Sequence, residues 1–96
     1  MKMANYKLSE NAKNDLERIY QWGVHHFGED QADRYYHDLF NAFDRIAENP
    51  MSYPKTDAKE GYRYRTMQRN TIYFRNVNEE VQIMAILGQQ DTDIWL

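Results

Sequence analysis

Residues 61–91, GYRYRTMQRNTIYFRNVNEEVQIMAILGQQD, contain the pattern that decides the fold of this 96-residue chain. Three runs rich in β-branched and aromatic residues, 62–67, 71–77 and 81–87, are separated by short polar breaks. Such short connections join only antiparallel neighbours, because a parallel crossover needs roughly a dozen residues or more. The sequence therefore predicts a three-stranded antiparallel meander.

The third run, residues 81–87, is apolar at both alternating sets of positions. A strand that is apolar on both faces lies inside a sheet and is covered on both sides. We therefore expect this run to be an interior strand and the rest of the chain to cover the sheet. Strict alternation divides its apolar residues between two faces: Val81, Ile83, Ala85 and Leu87 on one, Met84 and Ile86 on the other.

The first half of the chain carries two helical patterns. Ser9 precedes apolar residues that recur at helical spacing, and we expect it to be an N-cap, with Gly28 ending this helix. A second amphipathic helix is predicted from about residue 29 to about residue 48, before Pro50. Residues 5–8 alternate in polarity and are predicted to form an edge strand. Two helices joined by so short a turn form an antiparallel hairpin.

The predicted order of strand, helix, helix and three strands is typical of an α+β fold, here a helical hairpin on an antiparallel sheet. The length and the 42% hydrophobic content fit one domain over residues 1–96. The absence of cysteine excludes a disulfide framework, a thiolate metal site and a cysteine nucleophile. We find neither a membrane-spanning run nor the apolar segment of a secretory signal, and we expect a cytoplasmic protein.

The net charge of −3 conceals a local excess of positive charge. Residues 55–75 carry six basic and two acidic groups, whereas residues 1–54 carry six and nine. Residues 76–96 carry four acidic groups and neither lysine nor arginine. The basic block would attract an acidic partner or nucleic acid. It is equally explained by a half-exposed sheet face that needs polar residues, and the sequence leaves both interpretations open.

Patterns for catalysis and metal binding are weak throughout. The three histidines, His25, His26 and His37, lack ligand spacing, since adjacent helical residues point about 100° apart. The two serines lie outside nucleophile motifs, and the four glycines form no phosphate-binding loop. Pairs such as Asp15 with Arg18 are typical of solvated helix faces. We therefore expect no metal, no cofactor and no catalytic residue.

One group of side chains, Arg63, Arg65, Tyr73 and Arg75, offers binding chemistry on the first two predicted strands. Arginines and a tyrosine on a sheet can hold an RNA phosphate and stack a base. RNA cleavage by the 2′-hydroxyl also needs a general base and acid near the phosphate. The end of the last strand, residues 87–91, reads LGQQD and supplies no His, Lys, Arg or Tyr. This absence argues against a ribonuclease.

The order and spacing of several short segments resemble the ParE toxins of the RelE/ParE toxin–antitoxin superfamily over nearly the whole chain. The segments are YKLS at 6–9, FG at 27–28, AENP at 47–50, EGYR at 60–63, IYFR at 72–75, IMAILG at 83–88 and QD at 90–91. Superfamily members share the strand–helix–helix–three-strand layout. The resemblance therefore implies the fold that the residue pattern predicts independently.

The resemblance implies a bacterial type II toxin that a ParD-like antitoxin neutralises and that poisons DNA gyrase without catalysis. RelE-like members instead cleave mRNA on the ribosome, with basic sheet residues and acid/base groups near the C-terminus. The missing acid/base groups favour the gyrase branch, and the mild acidity agrees with a protein target. Two alternatives remain: a ribosome-dependent mRNA interferase, and a degenerate toxin that only binds its antitoxin and, through it, operator DNA.

The resemblance also implies which residues of the sheet and tail contact a partner. Arg63 and Arg75 match positions that are often basic in both branches. We expect the face formed by Arg63, Arg65 and Arg75, together with the tail at residues 88–96, to contribute to target contact. Gln89 stands where relatives with this ending often have arginine. If the C-terminal tail contacts gyrase, this lost charge would weaken toxicity or change the target.

Aromatic residues on the predicted helices are further candidates for contact with a partner. The antitoxin's C-terminal segment is expected to fold onto the helical hairpin and the sheet as it binds. Trp22, Tyr20 and Tyr35 would suit such contacts, or would pack at the margin of the core. Trp95 in the tail either covers the edge of the sheet or anchors a partner.

Overall fold

The computed structural model describes residues 5–88. The chain forms β1 (Tyr6–Leu8), α1 (Glu10–Phe27), α2 (Glu29–Glu48), a 3₁₀ helix (Pro50–Ser52), β2 (Arg63–Thr66), β3 (Thr71–Val77) and β4 (Glu80–Leu87). The four strands form one sheet in the order β1-β4-β3-β2. The fold is therefore α+β, and the predicted strand, helices and meander are confirmed.

The sheet is mixed, whereas the sequence analysis expected an antiparallel sheet throughout. β2 pairs antiparallel with β3, and β3 with β4, as predicted for the meander. β1, however, pairs parallel with β4, with Tyr6 opposite Val81 and Leu8 opposite Ile83. Parallel neighbours need a long connection, and here both helices, β2 and β3 lie between β1 and β4 in the chain. β4 consequently has a neighbour on each side, as predicted for the interior strand.

The ends of α1 lie where the sequence places them. The Ser9 side chain accepts a hydrogen bond from the Ala12 N–H at 3.0 Å, which satisfies one of the unpaired donors of the first turn. Gly28 follows the last turn with φ of 91°, and its N–H donates to the Val24 carbonyl at 3.0 Å. Glycine adopts this positive φ without steric cost, so α1 ends here and α2 begins directly afterwards.

The hydrophobic core lies between the helical hairpin and one face of the sheet. The helices are antiparallel neighbours, since Tyr20 and Tyr36 have ring centroids 5.5 Å apart and a Cβ placed on Gly23 would lie 3.3 Å from that of Ala32. Each fully buried aliphatic or aromatic side chain stabilises the fold by roughly 1.5–3 kcal/mol. The largest fully buried side chains are Leu39, Phe43, Ile46, Ile72, Phe74, Val81, Ile83 and Ile86.

A β-bulge in β4 shifts its register against β3. Tyr73 pairs with Ala85, but the next residue, Phe74, pairs with Ile83. β4 therefore contains one extra residue, Met84, and the alternation of its side chains changes by one position there.

Because of this bulge, the predicted grouping of residues along β4 is wrong. Val81 and Ile83 face the helices as one group, but the third β4 member of that core is Ile86. Ala85 and Leu87 instead join a smaller buried cluster with Tyr62, which directly precedes β2, and Tyr73 of β3. Alternation alone could not reveal this, because every residue from 83 to 87 is apolar.

The β3–β4 connection is a two-residue turn in which Asn78 and Glu79 both have positive φ, 52° and 63°. Positive φ at both central positions is typical of the type I′ turn, whose twist matches that of a hairpin. Glu80 already pairs with Val77, so β4 begins one residue earlier than predicted. This tight turn holds the antiparallel register that positions the far ends of β3 and β4.

Candidate protein-binding site

Along part of the β4 edge, the side chains of Ser9 and of α1 form the hydrogen bonds that a neighbouring strand would otherwise form. β1 ends at Leu8, and the Ser9 N–H still donates to the Ile83 carbonyl at 3.0 Å. Beyond it, the Met84 carbonyl accepts from Ser9 Oγ at 3.0 Å and from Asn11 Nδ2 at 3.2 Å. The first turn of α1 therefore pairs the bulged backbone that β1 does not reach.

Asp15 continues this pairing from inside the protein. Its Oδ2 accepts the Ile86 N–H at 2.9 Å, and Arg18 Nη2 donates to the Ile86 carbonyl at 3.2 Å. Asp15 and Arg18 also form an ion pair at 3.4 Å, but Asp15 is only 8% exposed. The prediction that this pair belongs to a solvated helix face is therefore wrong for Asp15. The sequence carried one signal, since Asp15 lies between Ala12 and Leu16 on the apolar stripe.

The strand register places Arg63 and Arg65 on the side of the sheet that faces the helices. Arg63 pairs with Phe74 and Arg65 with Ile72, and directly opposed residues share a face. Phe74 and Ile72 both belong to the core beneath the hairpin. The two arginines consequently lie at the margin of that core, on edge strand β2.

The two arginines have different surroundings. Arg63 Nη1 donates to the Tyr53 carbonyl at 2.6 Å, and the Tyr53 ring packs edge-on against Phe74. Arg63 therefore holds the segment before β2 against the core. Arg65 is half-buried, and its Nη1 has no hydrogen-bond partner among residues 5–88. A buried donor of this kind is costly unless an acceptor reaches it.

Tyr73 and Arg75 lie on the opposite face of the sheet. Tyr73 is 8% exposed and packs near Tyr64, with ring centroids 6.4 Å apart. Arg75 Nε donates to Gln82 Oε1 at 2.7 Å. The four predicted residues of β2 and β3 are therefore split between two faces, and the expectation that they form one basic surface is wrong. Register decides this, and it cannot be read from each strand alone.

A different set of exposed side chains surrounds the end of α1. Trp22 is 47% exposed and Phe27 41% exposed, and the His26 ring stacks on Trp22 at 4.0 Å. Arg69, from the turn between β2 and β3, lies over this pair, with its guanidinium carbon 3.9 Å from the Phe27 centroid and 5.5 Å from that of Trp22. Trp22 was predicted as a contact residue, but the sequence analysis did not single out Arg69 or Phe27.

The β2–β3 turn that carries Arg69 is fixed to α2. Tyr35 Oη donates to Asn70 Oδ1 at 2.9 Å, and the Met67 N–H donates to the Asn70 carbonyl at 2.7 Å. Asn70 is 9% exposed. Burial raises the pKa of the Tyr35 hydroxyl above its usual 10.0, which keeps it a donor. Tyr35, a predicted contact residue, therefore mainly holds the β2–β3 turn against α2.

Between α1, α2 and this turn lies a cavity of about 740 Å³, which we call the arginine cavity. The described residues contribute three guanidinium groups and a single carboxylate to its wall, so this part of the wall is positive although the chain is acidic. Its size falls within the usual range of ligand pockets. Its lining residues are Arg18, Ile19, Tyr20, Trp22, Gly23, Gln31, Ala32, Arg34, Tyr35, Tyr36, Asp38, Gln68, Arg69, Asn70 and Gly88.

A second depression of about 500 Å³, which we call the outer groove, runs along the hairpin. Tyr20 Oη donates to Asp33 Oδ1 at 2.6 Å within it, and this bond is the main cause that raises the pKa of Tyr20 to about 12. Tyr20 and Tyr36 line both the groove and the arginine cavity. The groove is lined by Leu8, Lys13, Leu16, Glu17, Tyr20, Asp33, Tyr36 and Phe40.

Two predicted contact residues, Gln89 and Trp95, lie outside the described residues. Within residues 5–88, no group of three His, Asp or Glu side chains is arranged to hold a metal ion. Neither described helix has a stretch apolar enough to cross a bilayer.

Comparison with known proteins identifies relatives of the whole arrangement. The family model for the ParE toxin of the type II toxin–antitoxin system parDE matches residues 6–92. A protein named Toxin ParE1 from Caulobacter vibrioides is 33% identical over 88 residues, 91% of each chain. Toxin ParE1 from Mycobacterium tuberculosis is 32% identical over 89 residues, again with 91% coverage of both.

A solved structure described as the chromosomal ParDE TA system from P. aeruginosa has the same fold. Its TM-score is 0.80 at 24% identity, and the match covers 90% of this chain and 96% of the other. The family model spans both helices and all four strands. The chain therefore belongs to the ParE toxins of type II toxin–antitoxin systems, within the RelE/ParE superfamily.

Proposed function

We propose that this toxin inhibits DNA gyrase, that it acts by binding rather than catalysis, and that a ParD-like antitoxin neutralises it. Family membership supports the proposal, since the Caulobacter and Mycobacterium relatives are named ParE toxins. The structural observation that carries it is the separation of the sheet arginines. Arg63 and Arg65 face the helices, while Tyr73 and Arg75 lie on the other face.

This separation disfavours the alternative of a ribosome-dependent mRNA interferase. Such an enzyme needs positive charge, a base-stacking ring and acid/base groups around one phosphate. Here the Arg63 guanidinium is engaged by the Tyr53 carbonyl and Arg75 by Gln82. Arg63 and Arg75 therefore serve local order in the free toxin, and this arrangement favours a protein surface over RNA as the target of this chain.

The outer groove is where we place the antitoxin. Leu16 forms its buried floor, and the aromatic rings of Tyr36 and Phe40 lie 5.0 Å apart along one side. Tyr36 is 37% exposed. An amphipathic segment that folds on binding can bury its apolar face against such a groove. In a cytoplasmic toxin this contact would form inside the cell. The toxin would then associate with operator DNA only through the antitoxin.

A plasmid cleavage assay with purified gyrase, ATP and this toxin tests the target. We expect linear DNA to accumulate after detergent and protease treatment, as in a parallel quinolone reaction. Intact plasmid beside a working quinolone control would contradict gyrase inhibition. Mapping of mRNA ends after induction would then separate an interferase, which produces new ends within codons, from a toxin that has lost its activity.

The contribution of the sheet arginines is tested by comparing the two faces. We expect the Arg63→Ala, Arg65→Ala double variant to lower toxicity, and Arg75→Ala reports on the opposite face. Circular dichroism of each variant must retain the helical signal, because Arg63 also holds the Tyr53 segment. Loss of that signal in the double variant would assign the two arginines to folding and would overturn their role in target contact.

A further inference from the structure

The arginine cavity concentrates positive charge that the carboxylates among residues 5–88 neutralise only in part. Arg18 is paired with Asp15, but Arg34 and Arg69 form no ion pair with any residue in the range 5–88. Among residues 5–88, Asp38 is the one acidic residue that lines the cavity. In a chain with a net charge of −3, such a local excess favours an anionic group on a partner.

Arg69 is held in a manner suited to a carboxylate. Its guanidinium carbon lies 3.9 Å from the Phe27 centroid, a stacking distance. A cation–π contact uses none of the hydrogen-bond acceptors that a guanidinium needs, and the planar fork of N–H donors in arginine matches the two oxygens of a carboxylate. Trp22 stands beside it with nearly half its surface exposed, so an apolar side chain of the partner can pack next to the charged contact.

The cavity wall is fixed before any partner arrives. The Tyr35–Asn70 hydrogen bond ties the turn to α2, and the Met67–Asn70 backbone bond closes the turn itself. A partner therefore does not have to order this turn on binding, and this preorganisation favours affinity. The cavity also adjoins the outer groove, because Tyr20 and Tyr36 line both.

We propose that the arginine cavity binds an acidic side chain of the antitoxin segment that occupies the outer groove, with Arg69 as the bidentate partner and Arg34 as a second cation. The inference rests on the proposed antitoxin contact and adds a charged contact that fixes the position of the antitoxin segment along the groove. The occupant is an extended or helical segment with a carboxylate next to an apolar residue. The carboxylate meets Arg69, and the apolar residue packs on Trp22.

The test is a binding titration of the purified antitoxin against the intact toxin and matched arginine variants. We expect Arg69→Ala to weaken binding by at least about tenfold, mainly through faster dissociation. Arg69→Lys keeps the charge but not the planar fork, so it should fail to restore the affinity. Arg45→Ala removes an exposed arginine of α2 that does not line the cavity, and we expect a change of less than about twofold.

A charge exchange makes the test specific for a carboxylate. Arg69→Glu should abolish binding, and replacing one acidic residue of the antitoxin with arginine should rescue it. The loss caused by Arg69→Ala should also shrink as salt is raised. Thermal unfolding of each variant identifies any loss of fold. Rescue by a substitution in the antitoxin would itself show that the Arg69→Glu variant is folded.

Each remaining outcome distinguishes this inference from the function on which it rests. Wild-type affinity of Arg69→Ala for the antitoxin overturns the inference and leaves the antitoxin contact intact. Unchanged antitoxin affinity with lost gyrase inhibition would assign the cavity to the target instead and would also overturn it. Failure of the wild-type toxin to bind the antitoxin would overturn the proposed contact itself, and the inference with it.

Discussion

The two halves of α1 have the same helical geometry but opposite surroundings. In the first half, Asp15 and Leu16 are buried, and polar side chains bond to the backbone of β4. In the second half, Trp22 and Phe27 are 47% and 41% exposed, although both are large and apolar. A buried carboxylate and an exposed tryptophan thus lie two turns apart on one helix.

The difference shows how this helix combines folding with recognition. Its first half supplies hydrogen bonds that an eight-residue strand with a three-residue neighbour would otherwise lack. Its second half extends past the sheet and contacts Arg69 of a turn rather than a strand. Substitutions of buried residues in the first half should therefore chiefly reduce the free energy of unfolding, whereas substitutions of the exposed aromatic residues in the second should chiefly reduce partner affinity.

Removing apolar volume from the first half should have the largest effect. Leu16→Ala deletes a side chain that is 4% exposed, and we expect the free energy of unfolding to fall by about 2–5 kcal/mol. Urea denaturation followed by circular dichroism measures this value. Trp22→Ala is the matched change in the second half, and its cost should be smaller. An equal loss for both variants would contradict the division of the helix.

Removing the Asp15 carboxylate tests the polar part of the same half. Asp15→Ala leaves the buried Ile86 N–H without its acceptor, and we expect a loss of about 1.5–3 kcal/mol. Glu17→Ala, an exposed acidic control on the same helix, should change stability by less than about 0.5 kcal/mol. Hydrogen exchange at Ile86 should also become faster in Asp15→Ala. Unchanged exchange there would show that the contact contributes nothing to this edge.

Substitution of the exposed tryptophan in the second half should change antitoxin affinity more than the free energy of unfolding. Trp22→Ala should weaken antitoxin binding by about 1–2 kcal/mol, because exposed aromatic side chains commonly anchor interfaces. Calorimetric titration gives this value, and thermal unfolding of the same sample checks the fold. His25→Ala alters a neighbouring exposed ring that does not contact Arg69, and it serves as the control. Wild-type affinity of the Trp22 variant would exclude this end of α1 from the interface.

Tyr20, where the two halves of α1 meet, should make the free energy of unfolding slightly dependent on pH. Its pKa is raised from 10.0 to about 12, so the folded state holds the proton more tightly than the unfolded state. The stabilisation is fully present below about pH 10 and is lost as the pH rises through about 12. The stability difference between wild type and Tyr20→Phe should therefore narrow over this window. A difference that is constant with pH would mean that the Asp33 bond does not act in this way.

Most of the fold could be predicted from local patterns. The Ser9 cap, the Gly28 boundary and the meander all rest on neighbours in sequence, and all are confirmed. The candidate site was harder, because Arg63, Arg65, Tyr73 and Arg75 are near in sequence but lie on two faces of the sheet. Trp22 was named in advance, yet its partner Arg69 is 47 positions away and looked like an ordinary turn residue.

The sequence by itself determined the elements and their order, because helix caps, turn residues and alternation act over a few residues, and its resemblance to ParE toxins indicated the family. The tertiary structure alone decided which residues meet. The Met84 bulge reversed the faces of the following residues, β1 joined β4 in parallel, and the end of α1 came to lie under the β2–β3 turn. These outcomes depend on pairing between distant segments, where many registers satisfy the same local pattern and only simultaneous packing of the whole core selects one.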